Sequence, residues 1–433
     1  MIIEFAVTNF RSIKDRQVMS FEIDGQIGKS CLSDQIITPI DKSHGRNLIK
    51  SSIIYGANAS GKSNILKALD ALISIVENST DFKLDKSIPN YEPFKLDRQY
   101  LKKPTIFEID FIAKDTRRYF YEISFDNSKI ISEKLLYYEL NKKSTSTSIL
   151  FIRSENNDIH YGDSYRGKRD FSLNPNQLLL SKAGVDDIPA FKEAYRFFST
   201  YILYAPAQTT QFDEQMLRIT ERIFNNDEKE ISLREAIISI VKASDTGINK
   251  IFIQDDSSKI KFDEDVSDDE KEKVLSHFKL RIKTKHPLYE NGVEVGESTF
   301  DLSDESTGTM KLLGLSGLVV SALKIGAVVV IDELDKNLHP LLTRMIIGLF
   351  HNPIINKNNA QLIFSTHDVS LIDRELFRRD QITLVNKDLE GKTEIVRLSD
   401  FKGISKITPL SKWYMAGMFK GIPAINEYQI NIN

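Results

Sequence analysis

Gly56-Ala57-Asn58-Ala59-Ser60-Gly61-Lys62-Ser63 completes a GxxxxGK[ST] pattern, and its flanks decide the fold. Before it lies a β-branched run, Ile49 to Tyr55; after it, Ile65, Leu66, Leu69, Leu72, Ile73 and Val76 recur at helical spacing. Strand, glycine loop and helix together make a nest of backbone N–H groups, with a helix N-terminus aimed at an anion. Gly56 and Gly61 let the backbone close around phosphate oxygens without a Cβ in the way. Asn58, Ala59 and Ser60 carry the intervening N–H groups, and Asn64 follows in the first helical turn. Lys62 is placed to reach the β- and γ-phosphates, and the Ser63 hydroxyl to take one Mg²⁺ position. The bland alternative is a Gly-rich turn that happens to contain a lysine. By average glycine usage that coincidence arises in roughly one chain of this length in fifty, before the strand and helix context is counted.

At 433 residues, the chain is long enough for two or three domains, or for one large α/β core with an inserted lobe. Hydrophobic content of 41% and charged content of 27% are ordinary for a globular protein. A net charge of −3 gives no global basic field, so nucleic acid is possible as a partner but not indicated by charge. One cysteine, Cys31, rules out an internal disulfide and fits a reducing cytoplasm. The start MIIEFAVTNFRS carries Glu4 and Arg11 around its short apolar stretch, unlike a signal peptide. Leu312 to Ile331 approaches the length of a membrane span. It is broken by Gly314, Gly317, Lys324 and Gly326 and runs into Asp332-Glu333, so a helix followed by a buried strand explains it better. No membrane association is expected.

The first thirty residues alternate like paired strands, and TIFEIDFI, YFYEISF and KIISEKLLYYEL beyond Pro104 read as antiparallel strands. KKSTSTS at 142–148 reads as a solvated loop tip, and from about Asn176 to Lys250 the pattern is mainly helical. Asp255 to Glu272 is an acidic run, read first as an exposed loop and second as a docking surface for a basic partner. Texture becomes α/β again after Phe300. These readings divide the chain into residues 1–140 with the phosphate loop, an inserted mainly helical lobe at 141–290, and 291–433 with the remaining motifs.

Val328-Val329-Val330-Ile331 is a fully apolar strand that ends in Asp332-Glu333, as buried parallel strands do where ligands collect at their carboxyl ends. Beside a phosphate loop, the first acid, Asp332, is placed to hold Mg²⁺ and the second, Glu333, to act as general base on water. The next apolar strand, QLIFS, leads into Thr366-His367-Asp368, where His367 can hydrogen-bond a γ-phosphate or the attacking water. Leu302 to Thr309 (LSDESTGT) precedes a helix expected near Met310. Its ordinary reading is a Ser/Thr N-cap; in company with the other motifs, Ser306 and Gly308 offer an anion site.

Taken in order, these elements resemble the ABC-class ATPase heads of the structural-maintenance-of-chromosomes and RecF-like group. Asn9-Phe10-Arg11 matches the turn that precedes the phosphate loop there. More narrowly, GANASGKSNILKAL, DESTGT, IDELDKNLHP, FSTHD, LFRRDQITLVNKD and YMAGMFKGIP resemble the RloA-like, abortive-infection ATPases of bacteria, called AAA-family proteins. The resemblance covers roughly residues 1–125 and 295–425. It implies a P-loop NTPase of the ABC-head type: a mixed α/β sheet with flanking helices, antiparallel β at the N-terminus and an inserted lobe. It also implies ATP and Mg²⁺ as cofactors, and an approach of Arg11 to the nucleotide. Ser306 and Gly308 then act in trans, so that two subunits sandwich ATP in a homodimer or larger assembly, with Leu334-Asp335 meeting the opposite subunit. The expected function is an ATPase that controls a separate toxic effector, nuclease-type, in anti-phage defence. The alternative is a DNA-bound repair or maintenance ATPase with the same head.

Departures from the pattern sharpen this reading. Gly308 stands in Ser-Thr-Gly-Thr rather than the Ser-Gly-Gly-Gln of transporters, and Gln99 is a weak choice for the glutamine that such heads place near the metal. The stretch after His367 is short for an appended Toprim nuclease and lacks an Asp-x-Asp cluster, so toxic chemistry is expected on another polypeptide. Asn386-Lys387-Asp388 is followed by Leu389, which removes support for GTP. Gly314-Leu315-Ser316-Gly317 lacks the closing glycine of a hydrolase elbow, and no HExxH or cysteine metal site exists.

Overall fold

The computed structural model describes residues 1–24, 32–38, 47–138, 147–163, 165, 171–206, 210–225, 230–255, 257, 260, 262, 267, 271, 281–405 and 407–423. Cys31, most of the 142–148 tip and most of the acidic run lie outside these residues. The chain splits into two compact units. The first comprises Met1–Ala205, Ile325–Leu334 and Ile347–Asn433; the second comprises Pro206–Lys324 and Asp335–Ile346.

In chain order the first stretch carries β1 (Ile2–Thr8), β2 (Gln17–Ser20), β3 (Ile36–Ile37), β4 (Leu48–Ile49), β5 (Ser51–Gly56) and α1 (Lys62–Asn78). There follow β6 (Thr105–Ile112), β7 (Arg118–Phe125), β8 (Ile130–Tyr138), β9 (Thr147–Arg153), β10 (Ile159–Tyr161), α2 (Leu179–Val185), α3 (Pro189–Tyr201) and β11 (Ile202–Ala205). The second unit holds α4 (Thr210–Asn225), α5 (Ile231–Lys242), β12 (Lys250–Gln254), β13 (Arg281–Glu290) and β14 (Val293–Asp301). Then come α6 (Thr307–Ile325), β15 (Val328–Ile331), α7 (Pro340–His351), β16 (Gln361–Ser365), β17 (Ile382–Lys387), β18 (Thr393–Arg397) and α8 (Leu410–Met415).

Two large sheets and the short β3-β4 pair build the first unit. One is seven-stranded and antiparallel, in the order β10-β9-β8-β7-β6-β1-β2; the other is six-stranded, in the order β11-β15-β16-β5-β17-β18. In the second sheet every pairing is parallel except β17 with β18. Sequence texture explains the difference. β7 alternates buried and partly buried residues along most of its length, whereas β5, β15 and β16 are buried throughout, as central parallel strands must be. α1 lays Ile65, Leu66, Leu69, Leu72, Ile73 and Val76 into the shared core, the face that the spacing predicts. The buried side chain of Gln361 bonds the two sheets. Its Oε1 accepts from Ile2 N–H (2.7 Å), and its Nε2 donates to Ile2 O (3.2 Å) and Ile49 O (3.1 Å).

Residues 147–205, expected within the helical lobe, pack with this first unit. β9 and β10 extend the antiparallel sheet, and a fully buried ion pair pins them there. Arg153 Nη1 faces Glu133 Oε2 at 3.5 Å, while Arg153 also donates to Asn157 Oδ1 and Gln177 O. Glu133 accepts in turn from Tyr121 O–H and from the N–H groups of Leu179 and Leu180. Burial raises the Glu133 pKa, and Arg153 with these donors opposes the shift.

The second unit is not purely helical. β12, β13 and β14 form an antiparallel sheet whose hairpin turns on Asn291-Gly292, with φ of 51° and 81°. Two residues with positive φ are the signature of the type I′ turn that Asn-Gly prefers. The unit's core gathers Ile237, Val241, Ile251, Ile282 and Leu313. Among the described residues one helix, α6, is long and apolar enough to cross a membrane, and 67% of its most apolar window is buried within the protein.

Candidate functional site

Parallel strands bring their carboxyl ends to one edge of the sheet, and five of the six strands converge there in the order β11-β15-β16-β5-β17. At the end of β5 the chain enters the Gly56–Ser63 loop and then α1. The loop is tight. A Cβ on Gly56 would stand 2.5 Å from both Ser60 Oγ and Val385 O, so only hydrogen fits. Ala59 has φ 61° and Gly61 φ 110°, left-handed conformations that turn successive peptides to make the nest. Lys62 is buried, and its ammonium donates to Gly56 O (2.8 Å) and Ala57 O (3.2 Å), satisfying a charge held out of water. Asn58 and Ala59 are exposed, and Ser63 and Asn64 are partly so.

The acid pair sits at the end of the strand two places away. Asp332 is 5% exposed, and the strand between, β16, supplies its anchor. Ser365 Oγ donates to Asp332 Oδ1 at 2.5 Å and accepts the Glu333 N–H at 2.8 Å; Ser365 O accepts the Leu334 N–H at 3.1 Å. On the other side Asp332 N–H donates to Ala205 O at 3.0 Å. This clamp holds Glu333 at φ 54°, a left-handed conformation that costs a non-glycine residue about 1–2 kcal/mol. Strain of this kind persists where surrounding bonds over-determine it, and it turns the Glu333 side chain out of the strand's alternation. Ser365 falls inside the FSTHD string, two residues before His367, but the string gives it no role of its own. Its role follows from β16 lying beside β15.

His367 is exposed at the end of β16. With Gly56, Ala57, Asn58, Thr366, Val369 and four residues of the 414–423 segment it lines a cavity of about 420 Å³. That segment is tied down from below. Tyr55, the last aromatic of β5, donates to Asp368 O at 2.8 Å and packs its ring 5.5 Å from that of Tyr414. Tyr414 O–H in turn donates to Gly421 O. On β11, the Tyr204 hydroxyl is buried with no hydrogen-bond partner among the described residues. Burial first, then the Asp70 and Asp332 carboxylates, push its pKa well up.

Other expected residues stand differently. Arg11 has φ 52°, and its guanidinium bonds Glu92 Oε1 at 2.7 Å. Asn9, also left-handed, is buried and bonds Tyr100 O, Lys103 O, Pro104 O and the Phe94 N–H. These bonds tie the Asn-Phe-Arg turn to the 92–104 stretch. Gln99 is exposed on the nearby loop, its N–H bonded to Asp97. Ser306 and Gly308 lie in the second unit, where α6 begins at Thr307, three residues earlier than expected. Ser306 Oγ accepts the Thr309 N–H at 3.1 Å, an N-cap. Glu305, just before it, is held by Thr284 Oγ1 and His286 Nε2. The described residues contain no cluster of His, Cys, Asp or Glu that would bind a metal by protein ligands alone.

A family model described as "AAA domain, putative AbiEii toxin, Type IV TA system" matches residues 51–373, from the first residue of β5 to just beyond His367. The chain belongs to this AAA family. No curated protein matches it. Among solved structures it is similar to an SMC head bound to the C-winged helix domain of ScpA, with 13% identity and a TM-score of 0.44, covering 92% of this chain and 97% of that one. It is also similar to the SMC head domain from Thermotoga maritima, with 15% identity and a TM-score of 0.40, covering 92% and 98%. A third is an Smc head with an extended coiled coil from Pyrococcus furiosus, bound to the C-terminal domain of ScpA, with 12% identity and a TM-score of 0.42, covering 92% and 96%.

Proposed function

We propose that the chain is a Mg²⁺-dependent ATPase whose subunits assemble around ATP, and that its nucleotide state regulates a separate toxic effector in anti-phage defence. The observation that carries the catalytic part is the Ser365 clamp. It fixes a carboxylate pair on the sheet edge that also bears the Gly56–Ser63 nest and His367.

The donor set fits the groups required. A buried Asp332 carboxylate and the Ser63 hydroxyl are oxygen ligands, suited to a hard divalent cation that keeps several waters. Bound there, Mg²⁺ would supply neutralisation of charge on the transferring phosphoryl group. Lys62 exchanges its carbonyl partners for phosphate oxygens, and the N–H groups of residues 58, 59 and 61–63 receive the rest of the anion. Glu333 accepts a proton from water as the water oxygen bonds to the γ-phosphorus, and the bond to the β-γ bridging oxygen breaks. His367 orients that water or the γ-phosphate, and Arg11 reaches the nucleotide only by leaving Glu92. Ser306 and Gly308 of a second subunit complete the site, the α6 N-terminus offering N–H groups to the γ-phosphate.

The effector part rests on the resemblance to abortive-infection ATPases; the family's description, "putative AbiEii toxin, Type IV TA system", supports a toxin–antitoxin setting and names no separate effector. The test is light scattering of the Glu333→Gln variant with and without ATP and Mg²⁺. It should retain ATP and remain assembled, whereas wild type cycles. Wild-type hydrolysis by this variant would remove Glu333 as base, and an unchanged mass with ATP would remove the shared site. Strongly salt-dependent duplex binding with no protein partner would favour the DNA-maintenance ATPase instead.

A further inference from the structure

Two hydroxyls outside every motif, Ser12 and Thr393, touch the phosphate loop. Ser12 lies in the turn after β1 and Thr393 is the first residue of β18, far apart in the chain. Four polar contacts join them to each other, to the loop and to the first turn of α1. Thr393 Oγ1 donates to Ser60 O at 2.8 Å; Ser12 Oγ and Thr393 Oγ1 are 2.7 Å apart; Asn64 Nδ2 donates to Ser12 Oγ at 2.7 Å; and Thr393 N–H donates to Ser12 O at 2.8 Å. A hydroxyl has a single proton, so directions follow. The Thr393 proton is committed to the Ser60 carbonyl, so Ser12 must donate to Thr393 and accept from Asn64. The result is one oriented chain: Asn64 amide to Ser12 hydroxyl to Thr393 hydroxyl to Ser60 carbonyl.

We propose that Ser12 and Thr393 are positioning residues for phosphate binding, acting through the Ser60–Gly61 peptide; this rests on the nucleotide-binding reading above. A trans peptide is planar, and its C=O and N–H point in opposite directions. Holding the Ser60 carbonyl against Thr393 therefore fixes the Gly61 N–H on the opposite side of the peptide. The start of α1 is set by the same geometry, because Gly61 O accepts the N–H groups of Asn64 (3.0 Å) and Ile65 (3.2 Å). A carbonyl free to turn inward would put a negative dipole where the loop must present positive ones. Close packing reinforces the hold. A Cβ on Gly61 would meet Thr393 Oγ1 at 2.1 Å and Ser12 Oγ at 2.9 Å, so the glycine serves the hydroxyl relay as well as its own φ of 110°.

The test measures equilibrium binding of a fluorescent ATP analogue to Thr393→Val, Ser12→Ala, the double variant and Thr393→Ser, each beside wild type, with thermal midpoints of the nucleotide-free proteins. Thr393→Val and Ser12→Ala should each weaken binding about tenfold, and the double variant should be little worse than the weaker single, because one relay is broken once. Thr393→Ser keeps the oxygen and should bind within about threefold of wild type. In steady state the loss should appear in KM, with kcat nearly unchanged, since the acid pair is held separately by Ser365. Wild-type affinity in both single variants would overturn the inference. So would equal losses in Thr393→Ser and Thr393→Val, which would mean packing alone, or fully additive losses in the double variant. If Thr393→Val does not fold, Ser12→Ala and Thr393→Ser decide the matter by the same criteria. Failure of wild type to bind the analogue is a different result and would remove the ATPase reading itself.

Discussion

Replacing Ser365 by alanine should cost the ATPase most of its turnover while leaving ATP affinity nearly intact. The side chain is fully buried and makes two bonds that matter, a donated one to the Asp332 carboxylate and an accepted one from the Glu333 amide. Deleting the first removes a hydrogen bond to a charged acceptor, about 1.5–3 kcal/mol. Deleting the second leaves a peptide N–H without its partner, at a further cost of about 1–3 kcal/mol. Glu333 is held left-handed by that amide bond, so the freed backbone can relax toward a right-handed conformation and recover about 1–2 kcal/mol. The relaxation moves the general base, and a displacement of about 1 Å at a reacting group can cost about a hundredfold in rate. We therefore expect kcat to fall about a hundredfold, equivalent to about 2.7 kcal/mol of barrier. ATP affinity should stay within about threefold, because the nest and Lys62 are untouched. Phosphate-release kinetics and fluorescent-nucleotide titration measure the two quantities. A kcat within threefold of wild type would refute the clamp as the determinant of Glu333 placement.

Further outcomes follow from other parts of the molecule. Lys62→Ala should abolish nucleotide binding in the same titration, and a bound ATP signal would reassign the loop. His351 is buried against Ser51 Oγ at 2.6 Å, and burial, with Lys50 adding to it, lowers its pKa from 6.5 to about 3. The unfolded chain thus binds a proton more readily. This contribution is complete above about pH 6.5 and is lost as pH falls toward 3, by about 2 kcal/mol at pH 5. Denaturant midpoints at pH 7 and 5 should separate less in His351→Gln than in wild type. Arg153→Met leaves Glu133 buried without its cation and should lower unfolding free energy by about 3–5 kcal/mol. A midpoint unchanged in urea would mean that Glu133 is neutral in the native protein.

The parts of the site legible in the sequence are those whose chemistry is local. The phosphate loop announces itself through consecutive residues, and the acid pair through the apolar strand before it. The antiparallel strands beyond Pro104 are equally readable, because Phe107 to Phe111 in β6 and Tyr121 to Phe125 in β7 alternate apolar with polar residues. Ser365, Ser12 and Thr393 are not, since a hydroxyl gains its role only when sheet order brings another strand beside it. β9 falls in the stretch read as part of the helical lobe, because Ile149 to Ile152 are four apolar residues in a row with no period-two alternation. The β13–β14 hairpin carried the strongest short-range signal missed, Asn291-Gly292 between alternating runs. Arg11 was assigned a nucleotide by resemblance, and its bond to Glu92, a residue with no pattern around it, could only be seen in three dimensions.

The order of the parallel sheet also bears on how the protein is made. β16 lies between β15 and β5, yet it is synthesised after both. A nascent chain that has emerged only as far as β15 holds the phosphate loop and the acid pair, but lacks the strand that joins them. Such long-range parallel pairing is slow to form and leaves strand edges unpaired in the meantime. On the function proposed above, competence would thus be withheld on the ribosome until β16 joins β15 to β5.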